Sequence, residues 1–317
     1  GLKKGDRIIS IGLQSISGLS IKRIIDHIRG PTGKQVKMLI RRNPRAEPFP
    51  VNIVRERIVL QTVFPQTRNG LVHIRITSFN QETSEEMRAA IEAARKQLGS
   101  KFRGLIIDVR GNPGGLLDQA VALADLFLKG GAILKTHGRH PRSFKLFDAD
   151  PEHISSGIPI AVLLDGASAS AAEIVASALQ DQGRAVVIGA SSFGKGTVQQ
   201  VLRLPNNGEF ILTWARMHAP SGYVLNKFGV LPNICTGQLT SGDVNLMHLT
   251  ERNGEKIRKE FSARRSVNDL NATLANKACL WRPRENKDVD LEIAERVLNE
   301  KDLYRKMLAY AMPAAGS

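Results

Sequence analysis

Apolar residues in the first 42 positions recur with the spacing of strands and one short helix. Arg7–Ile11 and Val36–Ile40 alternate apolar and polar residues, which predicts two strands. Between them, Ser20 can cap a short helix with one apolar face, formed by Ile21, Ile24, Ile25 and Ile28. Prolines at positions 44, 48 and 50 then predict a linker.

The segment after the linker continues with strands and a longer helix. Three apolar runs predict strands: Val51–Val54, Ile58–Val63 and Val72–Ile76. His73 is expected on the surface of the third strand rather than as a ligand. Thr83 and Glu86 have the spacing of a capping box. The helix that they begin would bury one stripe of residues, Met87, Ile91, Ala94 and Leu98.

Buried strands alternate with helices from residue 104 to residue 189. The predicted strands are Gly104–Val109, Ile158–Leu164 and Arg184–Gly189. The predicted helices are Leu116–Leu128 and one that starts at Ala171 and stops at Gly183, and residues 132–157 are expected to be irregular. This order predicts crossover connections and an α/β core. Ligand chemistry in such folds lies at the carboxyl ends of the strands.

The remaining segments differ from this core. Thr197–Leu204 and Glu209–Met217 alternate around Pro205–Gly208, which predicts a hairpin. Residues 237–287 are polar and charged. Asp290–Leu308 predicts one or two amphipathic helices with Leu291, Ala294 and Leu298 in register.

Composition narrows the classes of protein without identifying one. The chain has 317 residues and a net charge of +15, and residues 1–57 carry 13 Lys/Arg against 4 Asp/Glu. Because these basic residues are scattered among alternating apolar segments and few aromatic residues accompany them, a solvated surface is favoured over nucleic-acid binding. No apolar run approaches the length of about 18 residues that a membrane span needs. Since the chain begins at Gly1 and not at Met, we expect a fragment of a longer protein.

Two cysteines, Cys235 and Cys279, are too few for a disulfide framework and form no metal motif. Two buried thiols and a single disulfide that pins the tail to the core both remain open. The disulfide becomes plausible if the protein is extracytoplasmic.

Candidate chemistry is concentrated between Asp165 and Gln199. Ser168 and Ser170 lie just before the helix that starts at Ala171, where free backbone N–H groups and the helix dipole can hold a developing oxyanion. Lys195 has a glycine on each side, which lets the backbone approach and remove water from the amine. A neutral amine can act as a base toward a serine hydroxyl. This stretch therefore predicts a Ser–Lys pair.

Three alternatives compete with this interpretation. Gly189–Lys195 fits the phosphate-binding pattern G-x-x-x-x-G-K, but Gly196 stands where Ser or Thr would hold magnesium, and a hairpin is expected where a helix should follow. A Ser-His-Asp hydrolase is disfavoured because the serine lacks the G-x-S-x-G context. A catalytically silent peptide-binding scaffold is the third alternative.

The stretch resembles the carboxyl-terminal processing peptidases, also called tail-specific proteases. That family has an S-A-S-A-S-E segment followed by F-G-K-G-x-x-Q, and its interval of 25 residues from nucleophile to lysine separates Ser170 from Lys195. The resemblance implies that Ser170 is the nucleophile, that Lys195 is the base and that Gln199 orients it. Ala172 departs from the family, which commonly has another serine there. Asp181 matches an acidic position of some members and is interpreted as a structural residue at the helix end.

A second motif carries the same resemblance. Asp108–Gly115 fits the family's D-x-R-x-N-x-G-G segment, which supplies one oxyanion-hole N–H at Gly115 or Gly114. The other oxyanion donor is expected at Ala171. Without the Ser and Lys motifs, this segment would be interpreted simply as a glycine-rich turn between a strand and a helix.

The resemblance also implies an architecture and a setting. It implies the second half of a PDZ domain at residues 1–46, a ClpP/crotonase-like α/β catalytic domain at 47–236, and a helical extension at 237–317. The expected activity is endoproteolysis near apolar carboxyl termini of protein substrates, without metal, cofactor or nucleic acid. The expected location is extracytoplasmic, in a bacterial periplasm or anchored to the membrane that faces it. Peripheral membrane association through the parent chain and oligomer formation remain open.

Overall fold

The chain divides into two compact units, Gly1–Leu60 and Gln61–Ser317. The computed structural model describes residues 1–44, 46–151, 157–206, 208–237 and 288–311, together with residues 239, 245–246, 259, 279–280 and 282. The predicted polar segment 237–287 lies largely outside the described residues. Among the described residues, no helix combines the length and the apolar character that a membrane span needs.

The first unit is a four-stranded antiparallel sheet with one helix. Its elements are β1 (Arg7–Ile11), β2 (Gln14–Ser15), α1 (Ile21–Ile28), β3 (Gln35–Arg41) and β4 (Phe49–Val54). The strand order is β2-β1-β3-β4. Alternate residues of β3 face the core because side chains of a strand point to opposite faces, and Val36, Met38 and Ile40 are buried. Ser20 accepts the Arg23 N–H at 3.4 Å and so caps α1 as predicted.

The first unit is longer than the sequence predicted. The predicted boundary at residue 46 assigned the next strand to the catalytic domain. In the structure, β4 pairs with β3 from Gln35↔Val54 to Ile40↔Phe49, and the unit ends at Leu60. The predicted strand Ile58–Val63 is wrong, since Ile58 and Leu60 are 82% and 74% exposed and the N–H groups of Thr62 and Val63 donate to the Glu86 carboxylate.

The second unit contains ten strands and five α-helices among its described residues. In chain order they are β5 (Val63–Arg68), β6 (Leu71–Ile76), α2 (Thr83–Leu98), β7 (Gly104–Asp108), α3 (Leu117–Asp125), β8 (Ala132–His137), β9 (Lys145–Asp148), β10 (Ile160–Leu164), α4 (Ala171–Asp181), β11 (Val186–Gly189), β12 (Thr197–Arg203), β13 (Glu209–His218), β14 (Ile234–Cys235), α5 (Val289–Asn299) and α6 (Lys301–Ala311). Short 3₁₀ turns occur at Gly99–Lys101 and Pro141–Ser143.

A six-stranded sheet of order β14-β11-β10-β7-β6-β5 forms the centre of this unit. It is parallel except for the edge strand β5, which is antiparallel to β6. One face packs against apolar residues of α2, α3 and α4, and the other face packs against α5 and α6. Because both faces are covered, β10 and β7 are buried at every position, as their continuous apolar runs predict. The α/β class of the core is confirmed.

A second sheet of order β12-β13-β8-β9 contains the predicted hairpin. The expectation that residues 132–157 are irregular is wrong, because β8 and β9 lie there. An irregular register between Ala132 and Leu134 buries both Ile133 and Leu134, so the two-residue alternation of β8 is broken at its start and holds only from Leu134 to His137.

The start of α2 differs from the predicted capping box. Glu82 is the N-cap and makes no side-chain capping bond. The Glu86 carboxylate accepts the N–H groups of Thr62 and Val63 at 2.9 and 3.0 Å instead. Thr83 forms a hydrogen bond with Thr62 between their hydroxyls at 2.8 Å. The two residues therefore attach α2 to the segment that enters β5.

Cys235 and Cys279 form a disulfide across 44 residues of sequence. The alternative of two buried thiols is therefore wrong. Cys279 also accepts the Ser191 N–H at its carbonyl, at 2.9 Å. The disulfide thus ties β14 to Cys279, and the hydrogen bond from Ser191 ties Cys279 to the segment that leads from β11 toward Lys195.

Candidate active site

The predicted nucleophile occupies a strained turn between β10 and α4. Ser170 is the N-cap of α4 and has φ 55° and ψ −114°. A positive φ is unusual for a residue other than glycine, and such strain persists where the surrounding structure enforces it. Ser170 is half-buried, whereas Ser168 is fully buried and donates its hydroxyl to the Val109 carbonyl at 2.8 Å. The geometry therefore gives Ser168 a structural place and leaves Ser170 at the surface of the turn.

Asp165 joins this turn to the loop that follows β7. Its Oδ1 atom accepts the N–H groups of Gly111, Ala167 and Ser168 at 2.8, 3.0 and 3.0 Å. The Asn112 carbonyl accepts the Ala169 N–H at 2.9 Å. The carboxyl ends of β7 and β10 are thus held together, as the crossover topology predicted.

Gly114 and Gly115 lie against the serine turn. A Cβ atom on Gly114, which has φ 101°, would lie 2.7 Å from Ser170 Cβ and 3.0 Å from the Ala171 nitrogen. A Cβ on Gly115, which has φ 151°, would lie 2.1 Å from the Phe79 carbonyl oxygen. Only glycine fits either position, since each combines a positive φ with close contact to backbone.

Two backbone N–H groups at this contact have no hydrogen-bond partner within the described part of the chain. Gly114 donates its own N–H to Asn112 Oδ1 at 2.8 Å, whereas no described residue accepts the neighbouring Gly115 N–H. Ala171 is the first residue of α4, so its N–H has no acceptor inside the helix. These are the two predicted oxyanion donors, and Gly114 is the less suitable of the two glycine candidates.

Glu173 connects the serine turn to the lysine loop. Its Oε2 atom accepts the N–H groups of Ser170 and Lys195 at 2.7 and 2.9 Å. Its Oε1 atom accepts the Gly194 N–H at 2.7 Å and the Ser192 hydroxyl. The side chain is fully buried. Ser170 and Lys195 are therefore brought together at backbone level through a single carboxylate oxygen.

Burial raises the pKa of Glu173 above its ordinary value, and the hydrogen bonds from Ser192, Gly194, Ser170 and Lys195 only partly oppose this rise. Sequence reasoning assigned no role to Glu173. The S-x-x-E spacing from Ser170 is a capping-box signal that could have identified it. The contacts with Ser192, Gly194 and Lys195 could not be identified in this way, since they come from a segment about 20 positions further along.

The Lys195 side chain is exposed, which differs from the expectation that the flanking glycines would remove water from the amine. Those glycines are instead required by the neighbouring backbone. A Cβ on Gly194 would lie 2.9 Å from the backbone of Lys227, and one on Gly196 would lie 2.1 Å from the Asn226 nitrogen. Lys195 thus lies on a loop with a fixed backbone, and its amine faces solvent.

Gln199 does not share a simple strand face with Lys195. Lys195 precedes β12, and the β12–β13 register shifts between Val198 and Gln199. Gln199 is exposed, and within the described residues no hydrogen bond links it to Lys195. The predicted orienting contact therefore stays a prediction.

Two further acidic positions are structural. Asp181 ends α4 and accepts the Ser221 N–H at 2.9 Å, in agreement with its interpretation as a helix-end residue. Asp108 is buried and binds Arg75, Arg110 and His73. His73, which was expected on the surface of its strand, is 19% exposed and packs its ring against this carboxylate. Burial acts to raise the pKa of Asp108, but hydrogen bonds from His73 and Arg110, with the charges of Arg110 and Arg75, lower it well below its ordinary value.

The segment after Lys195 does not have the structure that a phosphate-binding loop requires. It forms strand β12, whereas a phosphate loop needs a helix whose N-terminus faces the phosphates. Within the described ranges, no group of three or more His, Cys, Asp and Glu residues has the geometry to hold a metal ion.

Comparison with known proteins gives a consistent set of relatives. Residues 70–236, just over half of the chain, match the model of peptidase family S41. The carboxy-terminal-processing protease of Bartonella bacilliformis is 38% identical over 239 residues, which are 75% of this chain and 55% of that protein. The carboxy-terminal processing protease CtpA of Bacillus subtilis is 34% identical over 236 residues, 74% of this chain and 49% of that protein.

Among solved structures, the photosystem II D1 C-terminal processing protease matches with a TM-score of 0.50 and 27% identity, over 73% of this chain and 63% of that one. The chain spans about half the length of the curated relatives that it matches.

Proposed function

Because the chain belongs to peptidase family S41, we propose that it carries the catalytic machinery of a serine endopeptidase that cuts protein substrates near their carboxyl termini. The names of its relatives, which are carboxy-terminal processing proteases, support this substrate class. Ser170 and Lys195 form the proposed catalytic pair.

The proposed reaction has two halves. Ser170 Oγ attacks the scissile carbonyl carbon while neutral Lys195 Nζ takes the hydroxyl proton. The C–N bond then breaks, and the Lys195 ammonium returns the proton to the leaving amine. Water hydrolyses the acyl-enzyme in the second half, with Lys195 again as the base. The N–H groups of Gly115 and Ala171 hold the oxyanion in both halves.

One observation carries this proposal: Glu173 Oε2 accepts the backbone N–H groups of both Ser170 and Lys195. A Ser–Lys pair works only if the two residues are held at a defined separation. A buried carboxylate with donors from both loops supplies such a constraint, and the N–H groups of Gly115 and Ala171, which no described residue accepts, lie at the same turn.

Exposure of Lys195 adds a condition to the proposal. An amine in water is protonated at neutral pH and cannot accept the serine proton. We infer that bound substrate excludes water from the lysine, which favours its neutral form, and that Gln199 orients the amine in that state.

Apolar surface beside the site supports substrates with apolar tails. Leu116 directly follows Gly115 and is 46% exposed, and Phe193 precedes Gly194 and is 62% exposed. An apolar tail of a substrate that covered these two side chains would remove their apolar area from water.

Architecture and location complete the proposal. The antiparallel sheet and helix of residues 1–60 support a partial PDZ domain, and the parallel sheet of the second unit supports a ClpP/crotonase-like core. The Cys235–Cys279 disulfide supports an oxidising compartment such as the bacterial periplasm. Peripheral membrane association and oligomer formation stay open.

Substitution of each serine in the full-length protein tests the function. Ser170→Ala should abolish cleavage of an unstructured protein with an apolar carboxyl terminus. Mass spectrometry of the cleavage products measures this. Ser168→Ala removes a buried hydroxyl that donates to the Val109 carbonyl and accepts the Asp165 N–H, so it should cost about 1–3 kcal/mol of stability and retain most of the cleavage. Unchanged cleavage by Ser170→Ala would contradict the mechanism, and absence of cleavage by the parent protein would favour a silent scaffold.

A further inference from the structure

A cavity of about 550 Å³ lies at the end of the central sheet opposite to Ser170. Ser170 and Gly115 follow the carboxyl ends of β10 and β7. The cavity is lined by Ile158 and Pro159, which precede β10, and by Gly183 and Arg184, which precede β11. It is therefore separate from the catalytic site. Its volume is in the range of cavities that hold small ligands.

The charged residues that line the cavity are all basic. They are Lys129, Arg184, Lys301 and Arg305, and no acidic side chain is among the described residues of its lining. Glu300 and Asp302 flank Lys301 in sequence, and both are exposed. Asp302 lies 3.7 Å from Arg305, but both side chains are largely exposed and such a pair contributes little. The cavity therefore presents net positive charge.

Arg184 holds the most enclosed of these charges. Its Nε atom donates to the Phe127 carbonyl at 3.1 Å, and its own carbonyl accepts the Tyr304 hydroxyl at 3.2 Å. Burial lowers the pKa of Arg184, which shows that this charge lies in a poorly solvated place. An anion in the cavity would interact with it more strongly than with a surface arginine.

Apolar side chains form the rest of the wall. They come from the end of α3, the entry to β10 and the C-terminal helices: Phe127, Leu128, Ile158, Leu298 and Leu308. Ile158 and Leu308 are only partly buried, so a free inorganic anion would leave these two side chains in contact with water. A ligand that fits both parts of the cavity has an anionic head and an aliphatic body.

We propose that this cavity binds an aliphatic carboxylate of medium chain length, with its head among the basic side chains and its chain against Ile158 and Leu308. The carboxylate accepts hydrogen bonds from Lys129 or Lys301 and lies near the charge of Arg184, and such charge-assisted bonds are stronger than neutral ones. The aliphatic chain gains by leaving water.

Calorimetric titration with octanoate tests the proposal. We expect saturable binding at one site, with acetate and octan-1-ol bound at least about tenfold more weakly, because each provides only one half of the ligand. Affinity should fall as salt is raised. Equal binding of octan-1-ol, or no saturable binding of octanoate, would overturn the proposal.

A double variant provides the test at residue level. Lys129→Gln with Lys301→Gln removes two exposed charges, so the fold is retained while octanoate affinity falls by about tenfold or more. The matched control is Lys96→Gln with Lys145→Gln, which removes the same charge from exposed lysines outside the cavity. Equal losses in both variants would show unspecific attraction by the basic surface and would overturn the proposal.

Discussion

Lys195 is the residue whose proposed role depends most on its chemistry, because its side chain is exposed in the structure. Arginine keeps the positive charge and the approximate length of lysine, but it does not lose its proton. We therefore expect Lys195→Arg to be as inactive as Lys195→Ala, with cleavage reduced by about 10²–10⁴-fold, the usual contribution of a general base. Turnover of a peptide substrate by the two variants measures this.

Lys227→Arg is the matched control, since Lys227 is also exposed and donates its backbone N–H to the Gly194 carbonyl at 2.8 Å beside Lys195. It should keep the activity of the parent. Substantial activity in Lys195→Arg would mean that the lysine acts only through its charge and that another base exists.

Glu173 is argued to act through Ser170 and Lys195, so it is a positioning residue. Glutamine has the same shape, but its amide nitrogen cannot accept, and two donors on one side would lose their acceptor. Each buried donor without a partner costs about 1–3 kcal/mol of stability, so the turn that loses its acceptor should shift. A shift of about 1 Å can lower a rate by about 10²-fold, and we expect Glu173→Gln to lower kcat by up to this factor. KM should change little, because no contact with substrate is removed.

Glu85→Gln serves as the control for Glu173→Gln. Glu85 is an exposed glutamate in the first turn of α2, and its substitution should leave kcat and the melting temperature unchanged. A Glu173→Gln variant that loses thermal stability but keeps kcat would show a purely structural role.

At the scale of elements, the turns after β7 and β10 act as one unit, because Gly114 lies directly against Ser170. In Gly114→Ala the new Cβ would lie 2.8 Å from the Ala169 carbonyl oxygen, so the turn has to move. A displacement of about 1 Å can lower a rate by about 10²-fold, and we expect a loss of this size in kcat. Steady-state kinetics measures it.

Gly111→Ala is the control that separates this steric clash from the strain energy of alanine at a positive φ. Gly111 has φ 65°, and its nearest neighbour to an added Cβ is an Arg75 nitrogen at 3.7 Å. Both variants bear the strain of alanine at a positive φ, about 1–3 kcal/mol. Only Gly114→Ala should lose activity, and similar losses in both would contradict the proposed contact.

The elements differ in how well periodicity predicted them. Helix α4, the strands β7 and β10, and the β12–β13 hairpin follow from local apolar spacing. Strand β8 was missed because its irregular register breaks the alternation. Ser170 and Lys195 were identified from short motifs, whereas the link through Glu173 depends on a tertiary contact between α4 and a distant loop, which no local pattern contains.

At the scale of the whole molecule, an ion network joins the central sheet to the C-terminal helices. Arg110 binds Asp108 at the end of β7 with an Nη2–Oδ2 distance of 2.6 Å. Its Nη1 atom also binds Asp288, the N-cap of α5, and Asp290 at 3.1 Å. The loop that carries Gly114 and Gly115 therefore begins at a residue that is tied to α5. Damage to this network should affect the second unit as a whole.

The network makes stability depend on pH, because the pKa of Asp108 is lower in the folded protein than in the unfolded chain. Ionised Asp108 therefore stabilises the fold fully above its unfolded pKa of about 4, and this contribution is lost as the pH falls below that value.

We expect the melting temperature of the parent to fall between about pH 5 and pH 3. Asp108→Asn should be about 1.5–3 kcal/mol less stable at neutral pH, because Arg110 and Arg75 lose their shared carboxylate while Arg110 keeps Asp288 and Asp290. Its melting temperature should change less over the acid range. Asp148→Asn, at an exposed position of β9, should follow the parent. Calorimetry of the three proteins decides the matter, since parallel acid profiles for Asp108→Asn and the parent would show that other carboxylates control acid unfolding.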